Sequence, residues 1–78
     1  MSLLIILHSL GKDFMDYTLK WKEPLANIRF WNIYMATGKS NEFAHVARSY
    51  CTEITLKKIA VDSSLQFRVV PVPLDFGL

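Results

Sequence analysis

Tyr17-Thr18-Leu19-Lys20-Trp21-Lys22-Glu23-Pro24 is the stretch that decides the fold of this chain. Tyr17, Leu19 and Trp21 alternate with Thr18, Lys20 and Lys22. Successive side chains of a pleated strand point to opposite faces, so this period of two predicts a strand over residues 14–22 with one apolar and one polar side. Glu23-Pro24 predicts its end, because proline has no N–H for a ladder and pushes the residue before it into an extended turn conformation.

The same pattern recurs on both sides. Residues 3–9, with the apolar run Leu3-Leu4-Ile5-Ile6-Leu7, predict a first strand, closed by a turn at Gly11-Lys12-Asp13. Over residues 28–35, Arg29, Trp31, Ile33 and Met35 alternate with Ile28, Phe30, Asn32 and Tyr34; both sides carry apolar groups, as in a central strand. Thr37-Gly38-Lys39-Ser40-Asn41 is the strongest turn signal, followed by a short strand over 42–47 and another over 50–56 with Ile54 and Leu56 on one face. Lys57-Lys58 and a loop at Val61-Asp62-Ser63-Ser64 lead to a last strand over 65–70. Pro71-Val72-Pro73 predicts the point where that strand leaves its sheet. A helix over 41–49 competes with the fourth strand, since Phe43, Val46 and Ala47 have i, i+3, i+4 spacing, and it would make the chain a small α+β protein.

The preferred expectation is an all-β, antiparallel sandwich of about six strands in one domain, residues 1–78, with Trp21, Trp31, Ile33, Ile54, Phe67 and Val69 as its core. With 78 residues, it would bury only about 60% of the surface of its unfolded chain. A content of 51% hydrophobic and 13% aromatic residues nevertheless separates it from disordered chains. The net charge of +2, with Lys57-Lys58 as the one basic doublet, argues against a nucleic-acid partner. The N-terminal apolar run lacks a basic leader and a small-residue cleavage site, and is far below the roughly 20 residues of a spanning helix, so neither a secretory signal nor a membrane partner is expected. The lone Cys51 forms no intramolecular disulfide and suits a cytoplasmic home.

The segments together resemble a fibronectin type III domain. Its second strand carries a tryptophan shortly before a proline, as Trp21 and Pro24 do, and its third carries an aromatic, a gap and a β-branched residue, as Trp31 and Ile33 do. Ile59 stands six residues before Leu65, the interval between the family's corner leucine and its tyrosine, and Phe67 and Val69 continue the inward alternation. Leu65 occupies the place of that tyrosine, so the hydroxyl that braces the corner is absent. After residues 74–78 no sequence remains for the family's last strand, so the resemblance implies either a fragment or truncated form of a multidomain protein, with self-association through an open sheet edge, or an edge covered by the first strand or another chain. More narrowly, Trp31-Asn32-Ile33-Tyr34 with Phe67-Arg68-Val69-Val70-Pro71-Val72 is similar to the accessory C-terminal sandwich of cytosolic endo-β-N-acetylglucosaminidases. That similarity implies an accessory domain of a glycoside hydrolase whose catalytic residues lie elsewhere.

Chemistry is sparse. His8, His45 and Cys51 have no metal-ligand spacing, and Asp13 and Asp16 lie in or beside a turn, where carboxylates are solvated. Gly38-Lys39-Ser40 echoes a phosphate loop without its first glycine. We therefore expect no catalytic residue, cofactor or metal, and a non-enzymatic module that binds a protein or a neighbouring domain, or spaces one domain from another. Trp21 and Trp31 read as core. Phe30 and Tyr34, outward and two pleats apart, are the candidate surface-binding pair.

Overall fold

A computed structural model describes residues 3–9, 11–22, 27–38, 42–61 and 64–74. They form six strands: β1 (Leu3–Ser9), β2 (Phe14–Trp21), β3 (Ile28–Ala36), β4 (Ala44–Ser49), β5 (Glu53–Ala60) and β6 (Gln66–Pro73). All pairings are antiparallel. One sheet has the order β1-β2-β5 and the other β4-β3-β6, and they pack face to face. The shortest extent of the molecule, 18 Å, is what two sheets about 10 Å apart with their outward side chains require. No helix is present among the described residues, so residues 44–49 are a strand and not the competing helix. Pro24, the turn at 39–41 and the last four residues lie outside the described residues.

The core lies between the two central strands. Leu19 and Trp21 of β2 and Leu56 of β5 meet Trp31 and Ile33 of β3 and Val69 of β6. The Trp21 and Trp31 rings cross edge to face with centroids 5.9 Å apart. Closer to the β1 side, Tyr17 and Phe67 span the layers at 5.3 Å. Burial of each such side chain contributes about 1.5–3 kcal/mol. Four of the six expected core residues are fully buried; Ile54 and Phe67 are only partly covered, and Leu19 and Leu56 are buried in addition. Phe67 walls an open groove, whereas Val69 on the same strand is covered by the opposite sheet.

Three irregularities break the period of two, and each re-aims a side chain. In β3, Ile28 pairs with Pro73 and Phe30 with Val72, which leaves Arg29 out of register and turns Ile28 inward. In β4, Ile33 pairs with Ala47 and Tyr34 with His45, so Val46 is the extra residue. This extra residue is what imitates helical spacing among Phe43, Val46 and Ala47. In β5, Lys57 and Lys58 together oppose Asp16, and Lys58 takes a left-handed φ of 57°. Asp16 Oδ1 accepts the Lys58 N–H at 2.9 Å, and Ile59 then packs against the core in place of a lysine.

Two further segments differ from the sequence expectation. Tyr50, Cys51 and Thr52 form a bend instead of the start of β5. Buried Ser49 organises it: its hydroxyl accepts the Cys51 N–H at 3.3 Å and donates toward the carbonyls of Cys51, at 2.6 Å, and Glu53, at 3.0 Å. Pro71-Val72-Pro73 stays inside β6. The Leu74 N–H donates to the Asn27 carbonyl at 2.8 Å, so alternation turns the N–H groups of Val72, Val70 and Arg68 toward β3. The nitrogens of Pro71 and Pro73 consequently face the outer edge, where no ladder bond is lost.

Candidate interaction face

The outward side of β4-β3-β6 carries the largest set of aromatic and cationic side chains. β3 presents Phe30, Asn32 and Tyr34, on the side opposite Trp31 and Ile33. Strand pairing sets Arg48 and Val70 beside Asn32, and His45 and Arg68 beside Tyr34. Phe30 and Tyr34 thus occupy the outward positions that the sequence predicts, four residues apart, and both are half-buried by their neighbours.

Each aromatic is held by a partner. The Arg48 guanidinium lies 4.1 Å from the Phe30 ring centroid. Tyr50 meets the Phe30 ring edge to face at 5.9 Å, and Arg48 Nη1 makes a long contact of 3.5 Å to the Tyr50 hydroxyl. At the other end, His45 packs edge to face on Tyr34 at 5.5 Å, and its Nε2 donates to Asn32 Oδ1 at 2.9 Å. The Arg68 guanidinium stacks 4.1 Å over Phe43. Arg48, Arg68 and His45 therefore belong to one face with four aromatic rings, none more than one strand away from β3. Cation–π and edge-to-face contacts of this kind contribute about 0.5–1 kcal/mol each at exposed sites, and they fix rotamers that binding would otherwise have to order.

Sequence reasoning identifies Phe30 and Tyr34 but not Tyr50, Phe43, Arg48 and Arg68. Tyr50 reads as part of a strand, while it stands in the bend that Ser49 stabilises and is the most exposed large aromatic of the described residues, at 70%. Arg48 and Arg68 join the face only through strand pairing, which the linear order does not reveal.

The other candidates are dispersed. His8 lies on β1 and His45 on β4, in different sheets, and no group of three or more metal-ligating side chains occurs among the described residues. Cys51 is exposed in the β4–β5 bend, a correction to its placement in a strand, with its Sγ 3.4 Å from the Glu53 carbonyl. Asp16 is engaged at the β5 irregularity, where its Oδ1 accepts the Lys58 N–H. Lys20 and Glu53 form an exposed ion pair of 3.6 Å on the other sheet. Among the described residues no helix is long and apolar enough to cross a membrane. The chain matches no protein-family model, and no curated protein or solved structure is significantly similar to it.

Proposed function

We propose that this chain is a fibronectin type III-like, non-enzymatic interaction module, and that it engages a protein partner or a neighbouring domain through the outward face of β4-β3-β6. What supports the fold reading is the strand order. With β1, β2, β3, β5 and β6 set against strands A, B, C, E and F, the pairings A-B-E and C-F of immunoglobulin-like sandwiches are reproduced, and β4 takes the place of an added strand beside C. The single observation that carries the functional reading is the Phe30–Arg48–Tyr50 and Tyr34–His45–Asn32 arrangement. Aromatic residues and arginine are the side chains enriched in protein interfaces and their energetic centres, and here they are already ordered.

The test compares the chain with a Phe30→Ser, Tyr34→Ser variant, both immobilised and exposed to soluble protein and to a glycan array. Retention of a defined protein partner by the parent, with at least about a tenfold loss in the variant, is the expected result, since two interface anchors contribute on the order of 2 kcal/mol or more. Equal retention by both would remove this face from the reading. Retention of glycans alone would favour the accessory domain of a carbohydrate-active enzyme.

A further inference from the structure

Among the described residues the two sheets are offset, and one long side of the sandwich is open. Leu3, Ile5 and Leu7 of β1 pair with Trp21, Leu19 and Tyr17, so they share the core-facing side of their sheet. Ile5 and Leu7 are nonetheless 43% and 55% exposed. The strand that lies across from Tyr17 is β6, through Phe67, and β6 ends its sheet. Beyond it lies a groove of about 480 Å³ walled by Ile5, Leu7, Met15, Tyr17, Leu65 and Phe67. Neighbouring strands are about 4.8 Å apart, so one further strand alongside β6 would sit over β1 and fill this groove.

The edge has a defined polarity. Alternation from the Leu74–Asn27 bond leaves the N–H and C=O groups of Phe67 and Val69 facing outward, while Pro71 and Pro73 offer only carbonyls. Residues of an added strand opposite Phe67 and Val69 would point into the groove, and the residue between them would point outward beside Arg68.

We infer that this edge is a docking site for an extended peptide segment of another protein with the pattern apolar–acidic–apolar, bound by strand addition to β6 at Phe67 and Val69, with its apolar side chains over Ile5 and Leu7 and its carboxylate beside Arg68. Charge decides against a second copy as the occupant. The antiparallel self-pairing that uses every outward donor, Phe67 against Val69 of the other copy, sets two Arg68 side chains side by side, and directly opposed like charges are destabilising. Sliding by two residues puts Phe67 against Pro71, or Val69 against Leu65, which lies outside β6.

The probe is an end-capped ten-residue peptide of alternating valine and threonine with one glutamate between its central valines. Calorimetric titration should show saturable binding, and the amide protons of Phe67 and Val69 should gain protection from exchange. Lysine in place of the glutamate should weaken binding about fivefold, and Arg68→Glu should reverse that preference. N-methylation of the central valines, whose N–H groups face β6, should abolish binding; methylation of the flanking threonines should not. Leu7→Glu, at a position exposed enough to leave the far-ultraviolet spectrum unchanged, should abolish binding too. Absence of binding at millimolar peptide, or binding indifferent to which peptide edge is methylated, would overturn the inference. So would a dimer of the chain alone that slows exchange at Phe67 and Val69, since that would assign the edge to a second copy.

Discussion

Trp21 combines burial in the core with a polar defect. It is 4% exposed, edge to face with Trp31, and its Nε1 is buried with no hydrogen-bond partner among the described residues. An unpaired buried donor costs about 1–3 kcal/mol, whereas the ring itself fills the centre of the core. The two effects separate by substitution. Trp21→Ala removes the ring and leaves a cavity, with an expected loss of about 3–5 kcal/mol, comparable to the whole stability of so small a domain. Trp21→Phe keeps most of the volume and deletes the orphan N–H, so its stability is expected to stay within about 1 kcal/mol of the parent. Urea denaturation of the three proteins checks both values; an alanine variant with the parent's midpoint would show that the packing at Trp21 is not as described. Lys58 illustrates the opposite economy at residue scale. Its left-handed backbone is strained for a side chain other than glycine, and the Asp16 carboxylate that accepts its N–H offsets part of that strain.

Among the strands, β6 is the one whose chemistry depends most on its prolines. A central strand cannot hold them, yet on the outer edge Pro71 and Pro73 interrupt the row of donors that would template another chain. The edge is thereby restricted to the short Phe67 to Val69 span. Pro71→Val places a β-branched side chain over Trp31, its ladder partner, and restores an outward N–H. The fold is expected to persist with a change of about 1 kcal/mol or less, while light scattering at high concentration should reveal faster aggregation than in the parent. Unchanged scattering would mean that the nitrogen of Pro71 faces β3. The bend after β4 works differently: the Ser49 hydroxyl ties the backbone of Cys51 and Glu53 together where the chain passes from one sheet to the other, and the bend carries Tyr50 back over Phe30.

At the scale of the molecule, the offset of the two sheets matters most. Among the described residues no strand of the far layer covers β1, so Leu7 on its inner side is more than half exposed, and Leu4 on its outer side is as exposed because that side faces away from the core. Exposed positions of this kind tolerate substitution within about 0.5 kcal/mol. A Leu4→Lys, Leu7→Lys variant is therefore expected to unfold at nearly the parent's urea midpoint while precipitating at a higher concentration of polyethylene glycol. A large loss of stability would show that β1 is covered in solution. The interaction face and the groove lie on opposite sides of β6 and share Arg68, so substitutions at Phe30 and Tyr34 are expected to leave the groove intact, whereas Arg68→Glu touches both.

The sequence by itself determined the elements that repeat every two residues. Tyr17-Leu19-Trp21 and Trp31-Ile33 specify strands and their inward faces, because a half-buried pleat demands that alternation, and their burial follows. It also placed Phe30 and Tyr34 on the outward side of β3, for the same reason. Where the period breaks, local pattern misleads: Val46 imitates a helix, Lys57-Lys58 reads as the end of a strand, and Pro71-Val72-Pro73 reads as an exit from the sheet. Those positions depend on which neighbour is present on each side, information that exists only once strands are paired. Tertiary structure alone decided that Arg48, Arg68 and Tyr50 gather around Phe30 and Tyr34, and that β1 faces a groove, because both arise from the order and offset of strands distant in sequence.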